Sequence, residues 1–358
     1  MFIKNKNIQN LKRKRSGINR KNIHSGIFLN RNERILPFDD KIKKKLYNFL
    51  LKTNISLYPN LDAIYDKLSK WLKLSKNQIF ITDGLDGAVR LMFRCYTKEK
   101  KSNVIFPKPS FAMYDVYSKM FGVKSKYINY NNKFELKVDQ IYKLADNNTS
   151  IIFLPNPNMP IESFLNEDDI EKIARFCEKK KIILFIDEVY FHFNDQSSIK
   201  LIKKYRNMYV SRSFSKAFGL AGVRFGYLIS NNKNILYVSK SRSGYECNSL
   251  SANVALFFIS NTHIMKNYVK EIKMGIIYLK QQLDKLDISY NGGNYGNFLF
   301  ISLKNKKLSK SIVNHLIKKN IFVRDGWHYP YNNGFSISSS SKNIMKIFIK
   351  ELKCFLNK

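Results

Sequence analysis

YVSRSFSKAFGLAGVRFGYLIS, residues 209–230, decides how the rest of this chain is read. One lysine, Lys216, follows alternating hydroxyls at Ser211, Ser213 and Ser215, and a single arginine, Arg224, stands beyond it. Small residues and glycines surround the amine, which reads as placed for chemistry rather than for solvation. Upstream, IILFIDEVYF (182–191) is a continuous apolar run that closes on Asp187 and Tyr190. A strand covered on both faces has that composition. A buried parallel strand is therefore expected to end at Asp187, and a neighbouring strand over 207–213 to lead into Lys216.

Outward from this pair the chain alternates. IFITDGLDGAVRLMFRCY (79–96) passes from strand to helix through Gly84 and Gly87. VIFPKPSFAMYDVYSKMFG (104–122) reads as strand, loop and helix, and SIIFLPNPNMP (150–160) as a buried strand ending in a proline-rich loop. A helix is expected over 166–181. The pattern predicts an α/β fold with a mainly parallel, doubly wound sheet and its ligand site at the carboxyl ends of the strands. Before it, IFLNRNERILPF (27–38) is extended, and a helix follows over 39–52 with Asp39 or Asp40 as N-cap. A turn at Tyr58–Pro59 leads into an amphipathic helix. From about residue 232 the pattern changes to long helical periodicity (250–285) and then the strands NFLFISL (297–303), IFVRD (321–325) and FSISSS (335–340). Helices near 308–319 and at the C-terminus complete a smaller α+β domain. The expected division is a flexible basic arm over 1–26, a large domain over 27–240 and a small domain over 241–358, with 27–50 able to join the small one.

The bulk numbers exclude more than they assign. The chain has 358 residues, 44% of them hydrophobic, and no run near the roughly 20 apolar residues of a membrane helix. Its start, MFIKNKNIQNLKRKRSGINRKN, is basic but lacks the apolar core of a signal peptide. Cys95, Cys177, Cys247 and Cys354 are scattered, with no CxxC and no histidine at ligand spacing, so free thiols, no metal and a cytoplasmic location are expected. The net charge of +36 is spread along the whole length, with KRKR (12–15) the densest cluster. That distribution reads as solvated surface, and neither nucleic acid nor membrane is expected as a partner.

Several stretches carry chemistry. Glycines where a strand hands over to a helix leave backbone amides free for a phosphate, which suits TDGLDGAV (82–89). Phe111 in PKPSFAMY can lie on a ring, and the asparagines of PNPNMP (155–160) can bond a ring hydroxyl or fix the turn. Asp187 is costly to bury without a cation. Ser213, Ser215 and Arg224 offer hydroxyls and a bidentate cation for one phosphate. A lysine out of water and near another cation has a lowered pKa, as an amine that attacks an aldehyde requires. Carboxylate for a pyridine nitrogen, amine for an aldehyde and cradle for a phosphate together point to pyridoxal phosphate.

In these motifs the sequence resembles the fold-type-I pyridoxal phosphate aminotransferases of class I/II, in particular their histidinol-phosphate aminotransferase branch, over roughly residues 27–355. SFSKAFGLAGVRFGY is similar to the family's SxSKAFxLAGxRxGY pattern. The resemblance implies that Lys216 is the Schiff-base lysine and the proton carrier, and that Ser213, Ser215 and Arg224 hold the phosphate. FIDEVYFHF resembles DEAYxxF, which implies Asp187 at the pyridine nitrogen and Tyr190 as a donor to the ring oxygen. DGLDGAV matches the GxDE turn, so Leu85, Asp86 and Gly87 are expected at the phosphate. PSFAMY is similar to PxYxMY and puts Phe111 over the ring. LYPN resembles the RYP element, in which Tyr58 reaches the neighbouring subunit's phosphate and so implies a homodimer with shared active sites. LNRNER resembles LNxNExP.

Two departures stand out. Where the family has NPNNPTG, this chain reads NPNMPIE, so Met159 replaces the asparagine before the proline, and Asn158 is the nearest amide for the ring oxygen. Where the family's LRIxxG strand carries a substrate-gripping arginine, FSISSS places Ser336, which has no bidentate charge. Arg324 matches a second family arginine. Arg34 or Arg31 can also reach the site, and Asn297 is carried with them as a substrate contact. The expected function is an aminotransferase acting on a small amino donor and a keto acid, with a substrate other than histidinol phosphate. Two alternatives are a lyase similar to threonine-phosphate decarboxylase and a catalytically degenerate polyanion-binding protein.

Overall fold

The structure, a computed structural model, describes residues 5–9, 11, 26–131 and 133–357. Of the basic arm expected over 1–26, only residues 5–9, 11 and 26 are among the described residues; Lys6–Gln9 form a single turn, whose Asn7 Nδ2 donates to Glu99 Oε1 at 3.0 Å. The first strand, β1 (Ile27–Phe28), pairs in parallel with β11 (Ile321–Phe322), so the N-terminal segment joins the C-terminal strands.

The central sheet has seven strands in the order β2 (Ile79–Thr82), β8 (Gly226–Ile229), β7 (Met208–Ser213), β6 (Ile183–Asp187), β5 (Thr149–Pro155), β3 (Asn103–Lys108) and β4 (Lys124–Asn129). Pairing is parallel from β7 through β4, whereas β8 runs antiparallel to both β7 and β2. The expectation of a mainly parallel, doubly wound sheet holds. β4 has no buried apolar run, since its sequence KSKYIN lies at the edge with mostly half-buried residues. That is why it escapes a reading based on hydrophobic runs.

The buried strands hide a two-sided order. Phe153, Phe185 and Tyr209 face one core cluster, while Ile152, Leu154, Leu184, Ile186 and Val210 face the other. Successive side chains point to opposite faces, so alternate residues of each of these strands feed different layers. Helices cap where short polar residues precede them. Asn166 accepts from Asp169 N ahead of Glu167–Lys180, whose first turn carries three acidic residues, and Asp39 accepts from Ile42 N ahead of Asp40–Leu50.

The second sheet is antiparallel, β9 (Tyr290–Gly292), β10 (Phe298–Ser302) and β12 (Gly334–Ser338), with β10 in the centre. The long helical region is two helices, Ser249–Ser260 and Thr262–Asp284, broken at Asn261. The second of these packs on the C-terminal helix Lys342–Leu356. No helix among the described residues is long and apolar enough to cross a membrane.

Candidate active site

Sheet register assembles the site. Pro155 of β5 pairs with Asp187 of β6, Asp187 with Ser211 of β7, and Ser213 with Gly226 of β8. The carboxyl ends of β5, β6 and β7 therefore meet at one level with the start of the antiparallel β8, and Lys216 follows three residues after Ser213. They border a cavity of about 680 Å³ whose walls include Phe111, Asn158, Asp187, Tyr190, Lys216 and Arg324. A larger cleft of about 850 Å³ beside Phe191 contains neither Lys216 nor Asp187. The arginine on its wall, Arg212, is already ion-paired to buried Glu188 at 2.9 Å.

Asp187 is 2% exposed. Its Oδ2 accepts from Tyr114 Oη at 3.0 Å and its Oδ1 from Val189 N at 3.1 Å. Burial pushes its pKa up to about 7, against the opposing effect of those donors and of Lys216. Tyr114 is held for this by stacking on Phe153, with ring centroids 5.0 Å apart. Lys216 Nζ donates to the Arg31 carbonyl at 2.9 Å. Burial lowers its pKa to about 8, and the positive charges of Arg324 and Arg224 act in the same direction, against Glu33 and Asp187.

The Tyr190 hydroxyl accepts from Asn32 Nδ2 at 2.8 Å, which leaves its own proton to donate. Asn32 is itself fixed, with φ at 53° and hydrogen bonds linking it to Ser338 and to Asn297. Asn32 and Tyr114 are the two positioning residues that sequence reading did not assign. The only signals were an asparagine suited to a left-handed turn and a tyrosine inside PSFAMY.

At the opposite end, Gly84 (φ +79°) opens the helix Gly84–Tyr96, and Asp83 provides no side-chain cap, so the first-turn amides of Leu85, Asp86 and Gly87 have no such partner. A Cβ at Gly84 would lie 3.1 Å from Arg224 Nη2. Arg224 adopts φ 58° and donates to the Ala221 carbonyl at 3.2 Å and the Asp83 carbonyl at 3.1 Å. Ser213 Oγ donates to Ser215 Oγ at 3.0 Å. Hydroxyls, guanidinium and helix start thus converge on one end of the cavity, where a phosphate has the donors it needs.

Three assignments change. Arg34 does not line the cavity; its guanidinium lies 4.2 Å from the Phe38 ring and 4.4 Å from that of Tyr268, while Nε donates to the Leu36 carbonyl. Arg31 lines the cavity instead. Asn297 is fully buried and donates to the Asn32 carbonyl at 3.3 Å, so it supports the wall and does not face a substrate. Asn158 is on the wall, but its amide hydrogens go to the Pro109 and Ile161 carbonyls, which leaves only its unpartnered Oδ1 and no donor for a ring oxygen. Tyr58, whose expected role is at a neighbouring subunit, is 81% exposed and stacks on Tyr245 at 4.8 Å, outside this chain's cavity.

The altered NPNMPIE loop has a structural account. Glu162, where the resemblance places a glycine, is buried and accepts backbone N–H groups from Asn294, Tyr295 and Gly296 at 2.8–2.9 Å. Its own N–H donates to Asn291 Oδ1 at 2.6 Å. The loop after β5 is thereby latched to the turn between β9 and β10.

A pyridoxal phosphate fits this arrangement on the evidence of the chain alone. Among the described residues no cation is hydrogen-bonded to buried Asp187, the amine of Lys216 opens on the same cavity, and the donors at Gly84–Gly87, Ser213 and Arg224 lie at one end. Fold and site together define a cofactor-dependent enzyme of the α/β class, and comparison with known proteins gives the family. Residues 22–348 match Aminotransferase class I and II, and the chain belongs to that family. Pyridoxal 5'-phosphate is the cofactor that goes with it. Among curated relatives, the histidinol-phosphate aminotransferase of Ruminiclostridium cellulolyticum is 31% identical over 83% of each chain. That of Caldanaerobacter subterraneus subsp. tengcongensis is 28% identical over 87% of this chain and 88% of its own. Among solved structures, the histidinol-phosphate aminotransferase of Sinorhizobium meliloti in complex with pyridoxal-5'-phosphate superposes with a TM-score of 0.84, at 18% identity, over 96% of this chain and 95% of that one.

Proposed function

We propose that this aminotransferase works in the cytoplasm as a homodimer and moves an amino group between a small amino compound and a keto acid, on a substrate other than histidinol phosphate. The observation that carries the reading is the pairing of a buried amine, its pKa lowered to about 8, with a buried, cation-free carboxylate across one cavity. When bound, pyridoxal phosphate supplies the electron sink that stabilises a carbanion at the substrate carbon.

The chain's own residues do the rest. The Lys216 amine, neutral above its lowered pKa, takes and returns the proton at that carbon. Asp187, held by Tyr114 and Val189, keeps a proton on the pyridine nitrogen. Tyr190 donates to the ring oxygen, a task that Met159 cannot perform. Phe111 covers one ring face. Ser213, Ser215, Arg224 and the amides of Leu85, Asp86 and Gly87 grip the phosphate. The guanidinium missing at Ser336 supports a change of substrate.

Exposed Ile55, Leu57, Tyr58 and Leu250 border one shallow groove. Such a patch suits a second copy of the chain, and Tyr58 then points toward the partner's phosphate end. Among the described residues no metal-binding cluster is present.

Borohydride treatment of the cofactor-loaded protein tests the reading. The cofactor is expected to become covalently fixed to Lys216 and its visible band to bleach, while Lys216→Ala forms no adduct and loses turnover by roughly 10⁴-fold or more. An adduct elsewhere, or full activity in the variant, would sink it.

A further inference from the structure

The cleft beside Phe191 is built from the other side of segments that also wall the cofactor cavity. Pro155, Pro157 and Tyr190 line the cavity, whereas their neighbours Asn156 and Phe191 line the cleft. The two share no lining residue, and nothing in the cofactor reading uses the cleft. Its volume of about 850 Å³ falls in the range of small-molecule sites, about 300–1,000 Å³, which are mostly apolar with a few placed polar groups. One wall is a face of the helix Thr262–Asp284. Met265, Lys266, Val269 and Lys273 recur there at the three- and four-residue spacing that puts side chains on one side of a helix. Three further lining rings are each held by one contact. Trp71 stacks on His192 at 5.3 Å, Phe164 stacks on Tyr295 at 4.1 Å, and the Phe191 ring lies 3.5 Å from the Arg212 guanidinium. Rings fixed in this way give a rigid surface for a flat apolar body, and the flexible thioether of Met265 adapts to its outline.

The unpaired charge of the cleft is positive. Arg212 is engaged by Glu188 and Ser197. Burial, with the charge of Arg212 beside it, pushes the His192 pKa down to about 3, so the imidazole is neutral. Lys200, Lys266 and Lys273 remain, and among the described residues none of the three has a carboxylate within 4.0 Å or a side-chain hydrogen bond. Two acids also line the cleft, Glu167 and Asp195. Glu167 stands in the first turn of its own helix, where the positive dipole end already favours it. Lys266 and Lys273 are two turns apart, about 10 Å along the helix axis, and Val269 lies between them. Cations therefore stand at either end of an apolar stretch, which suits a ligand with an apolar body and a negative head.

We propose that this cleft is a second small-molecule site, separate from the cofactor cavity, which takes an organic anion with a flat apolar body. The body lies against Trp71, Phe164 and Phe191, and the anionic head pairs with the lysines. A neutral body of the same shape gains only the apolar contact, and a small anion gains only the charge.

Calorimetric titration of the cofactor-loaded enzyme with naphthalene-2-carboxylate, its neutral carboxamide and acetate tests the site. The carboxylate is expected to bind at about one per chain, and at least about tenfold more tightly than the carboxamide or acetate. Lys200→Gln, Lys266→Gln and Lys273→Gln, combined in one variant, lower the affinity for the carboxylate by about tenfold and leave that for the carboxamide unchanged. The visible cofactor band and turnover stay as in the wild type, since none of the three lysines lines the cofactor cavity, and they show that the variant is folded. A carboxylate bound in the cofactor cavity instead keeps its full affinity in that variant, and this result overturns the proposal. So does equal affinity of the wild type for carboxylate and carboxamide, or no saturable binding of the carboxylate. A shift of the variant to a smaller sedimenting species overturns it as well, because the cleft is then an interface between copies of the chain. None of these outcomes touches the aminotransferase reading, which stands or falls on the adduct at Lys216.

Discussion

The two ends of one cavity are built in different ways. The cofactor end is made at the tips of neighbouring strands, by short stretches in which spacing along the chain sets spacing in the fold: Gly84–Gly87, Asp187–Tyr190 and Ser213–Arg224. The substrate end is made from segments that meet only through long-range packing: Arg31 beside β1, the loop ending in Glu162, and Arg324 beyond β11. Sheet register fixes the first within narrow limits, since adjacent parallel strands cannot slip without turning their buried side chains outward. The second depends on how the two sheets are held against each other. Conserving the first while varying the second lets one chemical step be offered to different substrates.

The sharpest break in that contrast is expected at Asp187. Asp187→Ala removes the carboxylate proposed for the pyridine nitrogen but leaves Lys216 in place, so the cofactor still attaches while turnover falls by about 10²–10³-fold or more. A fall of less than tenfold, measured on fully loaded enzyme, would show that strand-end geometry alone does not carry the chemistry.

Glu162 probes the joint between the two ends. Glu162→Ala leaves three backbone donors of the Asn294–Gly296 turn without their acceptor, at a cost of about 2–4 kcal/mol in urea-induced unfolding. It is expected to raise KM more than it lowers kcat, because Met159 and Asn158 shift with the loop while Lys216 and Asp187 do not. Unchanged stability would mean that the latch is not needed to hold the sheets together.

The smallest effect lies in pH. Because burial holds the Lys216 pKa near 8 rather than 10.5, capture of pyridoxal phosphate by the cofactor-free protein should quicken roughly tenfold from pH 7 to pH 9 as the neutral amine accumulates. The unfolded lysine keeps its proton up to a pKa of 10.5 and the folded one releases it near 8. The cofactor-free protein therefore gains stability from this group as pH rises across that interval. A rise near a hundredfold over the same interval, as an amine with the ordinary pKa of 10.5 gives, would contradict the burial of the amine.

Legibility follows the same divide. The seven residues SFSKAFG and the run ending at Asp187 identified amine, carboxylate and phosphate ligands, since local motifs at strand ends keep their meaning wherever the sheet lies. Arg34 was a reasonable choice over Arg31 on sequence alone. The left-handed turn at Asn32 and the ring pair of Phe38 and Tyr268 carry Arg34 out of the cavity, and both rings come from packing that no local pattern displays. Asn158 had the right chemistry for a ring oxygen, yet the carbonyls of Pro109 and Ile161 claim its donors. Glu162 read as the loss of a glycine, and its partners lie more than a hundred residues downstream.

The sequence by itself determined the cofactor, the amine that attaches it and the doubly wound sheet, because hydrophobic runs and strand-end motifs are local and their geometry follows from the period of a strand. Tertiary structure alone decided which arginines face the substrate, which amide has a free donor and what the altered loop holds, because those outcomes depend on side chains that find their hydrogen-bond and charge partners across the whole chain.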